Sequence, residues 1–403
     1  MNRISILLDY ICRPNFNAMK ILFVLNNFYA KGNGLSASAR RTVEALKEAG
    51  EDVRIISGPN EDPNGPKPDY ELEWYHFPLV QPIIDAHGYH FASTDIKVVE
   101  EAVRWADVVH LEEPFVLEAR TYKIAKRLGK PVTGTYHLHP ENVFSSLALG
   151  WCKSANYLLL NAWRDLVFNK CSHLQCPTQN VADRLERHHF TSKLHVFSNG
   201  IVPDASIRPD VPPEDYLDPD RPLKVVYIGR LSVEKDHPTL IRAIRKSGFA
   251  SRIQLQFAGR GPKARRYKRL AMKLYRDGVV KYKPQFMYCT RDELRTLAAE
   301  ADLCIHCATT EVEGLSIMEA IQQAAVPVIA KGRHTGTSQF ALDDRCIFQE
   351  KNAEELARKI DWWLAHPKER WEEGKRYAKS MEKYDIANSA RSLIEMFKAS
   401  LKN

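Results

Sequence analysis

At 403 residues with 44% hydrophobic content, the chain exceeds what one ordinary core accommodates and predicts two domains of roughly 150 to 200 residues. No apolar run reaches the roughly 18 residues needed to span a bilayer, and low-complexity tracts and solenoid repeats are absent. The net charge of +8 comes from the second half alone: residues 1 to 203 hold 22 Lys and Arg against 22 Asp and Glu, residues 204 to 403 hold 36 against 28, and 10 of the 14 histidines lie in the first half. A basic half suits an anionic ligand or surface, and a histidine-rich neutral half suits the face where chemistry occurs.

In the opening MNRISILLDYICRPNFNA, Asp9 interrupts the apolar patch, and Arg13 and Pro14 follow it with no small-residue cleavage site. That is a poor secretory signal. Met19 opens MKILFVLNN, a clean buried first strand, so residues 1 to 18 read as a dispensable extension. From Lys20 onward strand-like runs alternate with helical patterns: KILFVLNN, the helix SASARRTVEALKEAG, DVRIISG, ADVVHLEE, a helix ending KRLGK, PVTGTYHLH, a long helical stretch from about Ser154 to Cys171, and HLQCPT with a helix to about Glu186. Such alternation predicts a parallel sheet flanked by helices over residues 19 to 203. IVPDASIRPDVPPEDYLDPDRP, dense in Pro and Asp, follows and reads as a linker, assigned to 204 to 222. The pattern restarts with LKVVYIGR and continues through RIQLQFAGRG, VVKYKPQ and ADLCIHCA, giving a second domain over 223 to 384. The helical DIANSARSLIEMFKASLKN at the end is expected to pack back across the cleft. The predicted fold class is therefore α/β, with two Rossmann-like, doubly wound parallel-sheet domains facing each other, and ligands expected at their facing carboxyl strand ends.

Eight cysteines, unevenly spaced and mostly within apolar runs, read as reduced core thiols of a cytoplasmic protein. Cys304 and Cys307 tempt a metal or redox reading, but a spacing of three along a strand points the side chains to opposite faces.

TTEVEGLSIMEAIQQA, residues 309 to 324, carries Glu311 and Glu319 around a glycine. In one helix, eight residues at about 100° each would leave these carboxylates roughly 80° apart, so they would not stack. The spacing instead predicts Glu311 in the loop after DLCIHCA and a helix starting near Leu315. Gly314 allows the sharp turn, and the free N–H groups at the helix start form an anion site. Beside an anion the two carboxylates cannot help by charge, so they must hydrogen-bond neighbouring hydroxyls, such as the vicinal hydroxyls of a sugar or ribose. In VYIGRLSVEKDH, residues 226 to 237, Gly229 ends a strand and is followed by Arg230 and Lys235. Two cations there can clamp a diphosphate.

These motifs resemble glycosyltransferase family 4, of the GT-B fold, from about Met19 to the C-terminus. GRLSVEK resembles that family's diphosphate clamp, and EVEGLSIME resembles its E-x7-E loop. FAGRGP, with Gly259 and Gly261, resembles the strand-turn that lines the nucleotide pocket. The resemblance implies transfer of a sugar from a nucleotide diphosphate donor, taken as a UDP-hexose, with retention at the anomeric carbon. Arg230 and Lys235 would neutralise the diphosphate, Glu319 would hold the ribose, and Glu311 with the backbone of Gly314 and Leu315 would hold the donor sugar. The KPQF turn at 283 to 286, with Pro284 and Phe286, would meet the base through its backbone. No cofactor or divalent metal is expected, because cations and a helix N-terminus already stabilise the leaving group; Asp218 and Asp220 form a D-x-D, but it falls in the linker and reads as solvated carboxylates.

On the acceptor side, the glycine-rich AKGNGLSAS, with Gly32 and Gly34, opens a helix and suits backbone approach to the donor phosphates. In TGTYHLHPEN, His137 falls where the family places a histidine near the transferred sugar, with a strand-capping histidine as the alternative reading; His139 lies behind it. DVVHLEEPF resembles the family's H-x-H-x-P, with Glu112 in place of the second histidine. SNGI resembles N-G-[IV]-D with Val202 in place of the acid, and Asn199 and Gly200 would shape the hinge-side wall. Within the family, HLEEPF and GTYHLHPEN most resemble bacterial enzymes that glycosylate diacylglycerol or related lipids. NYLLLNAWRDLVFNK, with Trp163 and Phe168 on an apolar face, and the basic KARRYKRLAMKLYRDG suit a peripheral enzyme on an anionic leaflet at the inner face of the cell membrane; the same apolar face also suits a core. No nucleic-acid partner is expected. A soluble GT-B transferase of polysaccharide or small-glycoside synthesis, a ceramide glycosyltransferase, a nucleotide-sugar epimerase and a silent nucleotide-sugar-binding protein remain alternatives. An NAD-dependent oxidoreductase is disfavoured because neither glycine pair completes G-x-G-x-x-G at a strand-to-helix turn.

Overall fold

The computed structural model describes residues 18–78, 81, 89–146, 150 and 152–402; all but the last residue of the extension read at 1 to 18 lies outside them. The first half contains β1 (Lys20–Val24), α1 (Gly34–Glu48), β2 (Asp52–Ser57), β3 (Tyr70–Glu71), a short antiparallel pair β4 (Trp74–Tyr75) and β5 (Phe91–Ala92), α2 (Ile96–Trp105), β6 (Val108–Leu111), α3 (Val116–Arg127), β7 (Val132–Thr135), α4 (Pro140–Ser146), α5 (Lys153–Leu166), β8 (His173–Cys176), α6 (Gln179–Arg187) and β9 (Lys193–Val196). Its sheet is seven-stranded and parallel, in the order β3-β2-β1-β6-β7-β8-β9.

The second half contains β10 (Leu223–Ile228), α7 (His237–Lys246), β11 (Ile253–Ala258), α8 (Ala264–Arg276), β12 (Gln285–Met287), α9 (Arg291–Ala299), β13 (Leu303–His306), β14 (Thr310–Glu311), α10 (Leu315–Gln322), β15 (Pro327–Lys331), β16 (His334–Thr335), β17 (Ile347–Gln349), α11 (Ala353–Ala365), α12 (Pro367–Ser380) and α13 (Ile386–Ser400). Its six-stranded parallel sheet runs β12-β11-β10-β13-β15-β17, and β14 pairs with β16 beside it. Both sheets are doubly wound. Their central strands, such as β6 and β13, are buried at every position, as expected of parallel strands covered by helices on both faces.

Two details differ from the sequence reading. The KPQF turn resolves into edge strand β12, which pairs Gln256 with Gln285; Pro284, which has no N–H to give the ladder, sits just before it. The long helix after Ser154 divides at Val167, whose backbone leaves helical geometry (φ −130°, ψ −64°), and resumes as a 3-10 turn over Phe168–Lys170.

Helix α13 packs against the first domain. Leu393, Ile394, Met396 and Phe397 share one buried cluster with Ile21, Phe23, Val43 and Leu46. The crossing is pinned where Ile201 N donates to Tyr384 O (2.8 Å) and Ile386 N donates to Ile201 O (2.9 Å). Phe397 is fully buried, its ring 5.1 Å from that of His110. Truncating a buried Phe costs about 3–5 kcal/mol. Denaturant unfolding of Phe397→Ala should show a loss of that size, and a loss under about 1 kcal/mol would mean that α13 is not part of this core.

Candidate active site

In each sheet the strand order reverses beside the first strand, between β1 and β6 and between β10 and β13. Chains leaving neighbouring strands in opposite directions open a crevice at their carboxyl ends. The loops at these two points are those that carry Gly32 and Gly34, Glu112, Arg230 and Lys235, and Glu311 and Gly314.

On the second-domain side, Gly229 and Gly259 end adjacent strands. Gly229 N donates to Ala258 O (2.9 Å), and a Cβ on Gly259 would lie 2.0 Å from Gly229 O, so only glycine permits this approach. A Cβ on Gly261 would lie 2.4 Å from Leu231 O. Arg230 is exposed on the loop. Lys235 is held by its backbone, whose carbonyl accepts from Tyr227 OH (2.7 Å), and its Nζ pairs with Glu311 Oε2. His306 Nε2 lies 3.5 Å from the same oxygen. Burial pushes the Glu311 carboxyl up, but Lys235 and His306 overcome it and hold it at about 2, so Glu311 is a carboxylate at every working pH. Gly314 is left-handed (φ 92°), and a Cβ there would lie 2.3 Å from Thr337 Cγ2. It starts α10 with no side chain capping the helix, and Leu315 follows. Ser316 Oγ donates to Ile228 O (3.2 Å) and Thr309 N to Glu234 O (2.8 Å), tying the two loops into one unit. Pro284 is buried, and Phe286 stacks on Phe257 at 4.6 Å.

Glu319, one turn into α10, pairs with Arg41 of α1 at 2.6 Å, so it faces the first domain. Across the gap, no atom of the described residues outside their own chain neighbours and, for Gly34, the helix's own backbone lies within 4 Å of where a Cβ would stand on Gly32 or Gly34. Asn33 caps the helix between them by accepting from Leu35 N.

His137 stands two residues beyond β7, and its Nε2 lies 2.8 Å from Glu112 Oε2; Glu112 Oε1 lies 3.0 Å from His110 Nε2. Burial pushes this carboxyl up as well, but His137 and His110 hold it at about 2. Behind it, Glu113 and Glu118 share Asn26 Nδ2 as donor (3.1 and 3.0 Å), and Tyr89 OH donates to Glu113. With neutral partners only, burial raises both carboxyls. His139 lies deeper still, against Tyr136 OH (3.2 Å) and Arg184 (3.0 Å).

The domains also meet through buried contacts. Glu313, 3% exposed, accepts from Ser198 Oγ, from Asn199 N (3.1 Å) and from Asn199 Nδ2 (2.6 Å). Thr178 Oγ1 donates to Val312 O (3.2 Å), and Arg184 reaches His334 Nδ1 (2.9 Å) while forking onto Glu141. Arg41, Glu313 and His306 escaped the sequence reading. Glu313 sits inside EVEGLSIME and His306 inside ADLCIHCA, but nothing in their spacing marks a partner in the other domain or loop.

Other expectations fall elsewhere. Trp163 and Phe168 are core residues, and α5 exposes Tyr157, Leu158 and Leu166 instead (54%, 67% and 62%). The basic face of α8 is exposed. Asp218 and Asp220 are exposed in the linker, where Asp218 accepts from Asp220 N (2.7 Å). Cys304 and Cys307 are both buried thiols. Among the described residues no helix is long and apolar enough to cross a membrane.

Residues 32–205 match the Glycosyltransferase Family 4 sequence family, and residues 213–381 match Glycosyl transferases group 1. A GDP-mannose-dependent alpha-mannosyltransferase of Corynebacterium glutamicum is 26% identical over 77% of this chain and 72% of its own length. An alpha-monoglucosyldiacylglycerol synthase of Streptococcus pneumoniae is 24% identical over 78% and 71%. Among solved structures, Anabaena HepE in complex with UDP-glucose aligns with a TM-score of 0.69 at 18% identity, over 94% of this chain and 100% of that one, and shares the fold.

Glu313 makes the interdomain contact sensitive to pH. Burial lifts its carboxyl from 4.5 to about 7 despite three donors. A carboxyl raised in the folded state contributes stability that is full below its unfolded value and lost as pH rises through the folded one. The stability of the protein relative to Glu313→Gln should therefore fall between about pH 4.5 and 7, by up to about 3 kcal/mol. Denaturant midpoints of both proteins across that range test this, and a difference independent of pH refutes it.

Proposed function

The chain belongs to glycosyltransferase family 4, and on that premise we propose that it moves a hexose, glucose or galactose, from a UDP-sugar to a lipid acceptor such as diacylglycerol, with retention at the anomeric carbon. The observation that carries the reading is the joined loop pair at the second switch point. Lys235, Arg230 and the uncapped start of α10 offer positive charge for a diphosphate. Glu311, kept ionised, and Glu319 offer acceptors for hydroxyls on either side of it. On this reading His137 meets the donor sugar from the first domain. The leaving diphosphate is then stabilised by protein charge and helix dipole, and we assign no divalent metal to the reaction.

The lipid acceptor and the inner membrane face rest on coarser support. The Streptococcus relative is named for a monoglucosylated diacylglycerol, α5 exposes three large apolar side chains, and α8 carries an exposed basic face; such surfaces suit an anionic leaflet. The Corynebacterium relative, named for GDP-mannose, makes that donor the one to exclude.

Purified protein should release UDP from UDP-glucose or UDP-galactose only with vesicles containing anionic lipid and diacylglycerol, and a chelator should leave the rate unchanged. Equal turnover on soluble glycans, preference for GDP-mannose, or abolition by chelation would each overturn the corresponding part of the proposal. Lys235→Ala and Glu311→Ala should each lower turnover by at least about 10²-fold, as for loss of one preorganised stabilising group; a loss under about threefold removes them from the site.

A further inference from the structure

Glu112 is 3% exposed, and both its oxygens are committed to imidazoles. A buried carboxylate is a poor way to fill a core: removing it from water costs several kcal/mol unless partners repay it, and an apolar residue of similar volume packs as stably. Its surroundings are built to keep it in one place. His110 is wedged between the rings of Phe23 (4.9 Å) and Phe397 (5.1 Å). The register of β6 against β7 sets His110 beside Thr133, and Thr133 Oγ1 and Thr135 Oγ1 lie 2.9 and 3.0 Å from its ring nitrogens. With Thr133 donating to Nδ1, His110 presents Nε2–H to Glu112 Oε1. Thr135 in turn donates to Gln175 Oε1 (2.8 Å) on the next strand.

The other oxygen of Glu112 takes His137 Nε2. A carboxylate accepts only, so that nitrogen must carry a proton, and the ring's remaining nitrogen, Nδ1, makes no hydrogen bond to any described residue. The His137 side chain is 8% exposed, and it stands two residues past the carboxyl end of β7, the side of the sheet on which the cleft opens.

We propose that Glu112 is a positioning residue acting through His137: it fixes the ring with Nε2 inward and Nδ1 toward the donor sugar, and sets a negative charge behind it. This rests on the reading of His137 as the sugar contact. As the bond from the anomeric carbon to the diphosphate stretches, that carbon gains positive character, and a fixed negative charge one ring away stabilises it in a site where little solvent screens it. The effect is electrostatic, and no proton or electron pair passes through the pair.

Two measurements test this. In protein labelled with 15N-histidine and without donor, the His137 signal, assigned by its loss in His137→Ala, should show a protonated Nε2 across pH 6–8; a bare Nε2 with the proton on Nδ1 overturns the proposal whatever the donor proves to be. Glu112→Gln keeps the shape and one of the two acceptor oxygens but removes the charge, and with the nucleotide sugar that the native protein turns over it should lower kcat about 10- to 100-fold with donor KM within about twofold. In the His137→Ala background the same change should alter turnover by less than about twofold. Independent, additive losses would mean that Glu112 does not act through His137. Failure of every nucleotide sugar would sink the transferase reading while leaving the 15N result to judge Glu112.

Discussion

A carboxylate taken out of water must find positive or donating partners or surrender its charge, and the glutamates around this cleft divide according to which partner they have. Glu112 and Glu311 each face a cation or imidazoles and stay ionised. Glu113, Glu118 and Glu313 face only neutral hydroxyl and amide donors in direct contact, and burial raises all three. The division follows position. The two held low stand at the ends of β6 and β14, beside the gap, where fixed negative charge or a hydroxyl acceptor is useful. Glu113 and Glu118 lie behind the first loop, and Glu313 at the seam between domains.

Of the contacts that join the domains, two differ sharply in magnitude. Arg41 and Glu319 are one-quarter and two-fifths exposed, and an exposed ion pair is worth about 0–1 kcal/mol. By itself it cannot hold the domains together. Glu313 is buried and satisfied by three donors from the loop after β9. It is the more firmly held of the two contacts.

The alternation of strand and helix and the turn into α10 were legible in the sequence because they depend on local signals. Buried apolar runs such as KILFV define strands, and a glycine between carboxylates defines a loop-to-helix start. Gly259 and Gly314 stood out as glycines beside strand ends, but the contacts that require them, with Gly229 O and Thr337 Cγ2, come from other loops. What stayed hidden depends on packing between distant segments. The strand at Gln285 exists only because β11 lies beside it. Trp163 and Phe168 look like an apolar face until the helix is seen against β8 and α6. Glu112 was visible as a departure from a family pattern, but its two histidine partners come from β6 and from the turn after β7 and are set by sheet register.

The return of α13 to the first domain has a consequence for how the protein is made. The cluster that covers one face of β1 and β2 draws Ile386, Leu393, Ile394, Met396 and Phe397 from the far end of the chain. A nascent first domain emerging from the ribosome therefore lacks one wall of its core until α13, which follows the whole second domain, has been synthesised. During synthesis the second domain, with its own large self-contained cluster, can close before the first does, reversing the usual order in which the N-terminal unit folds first.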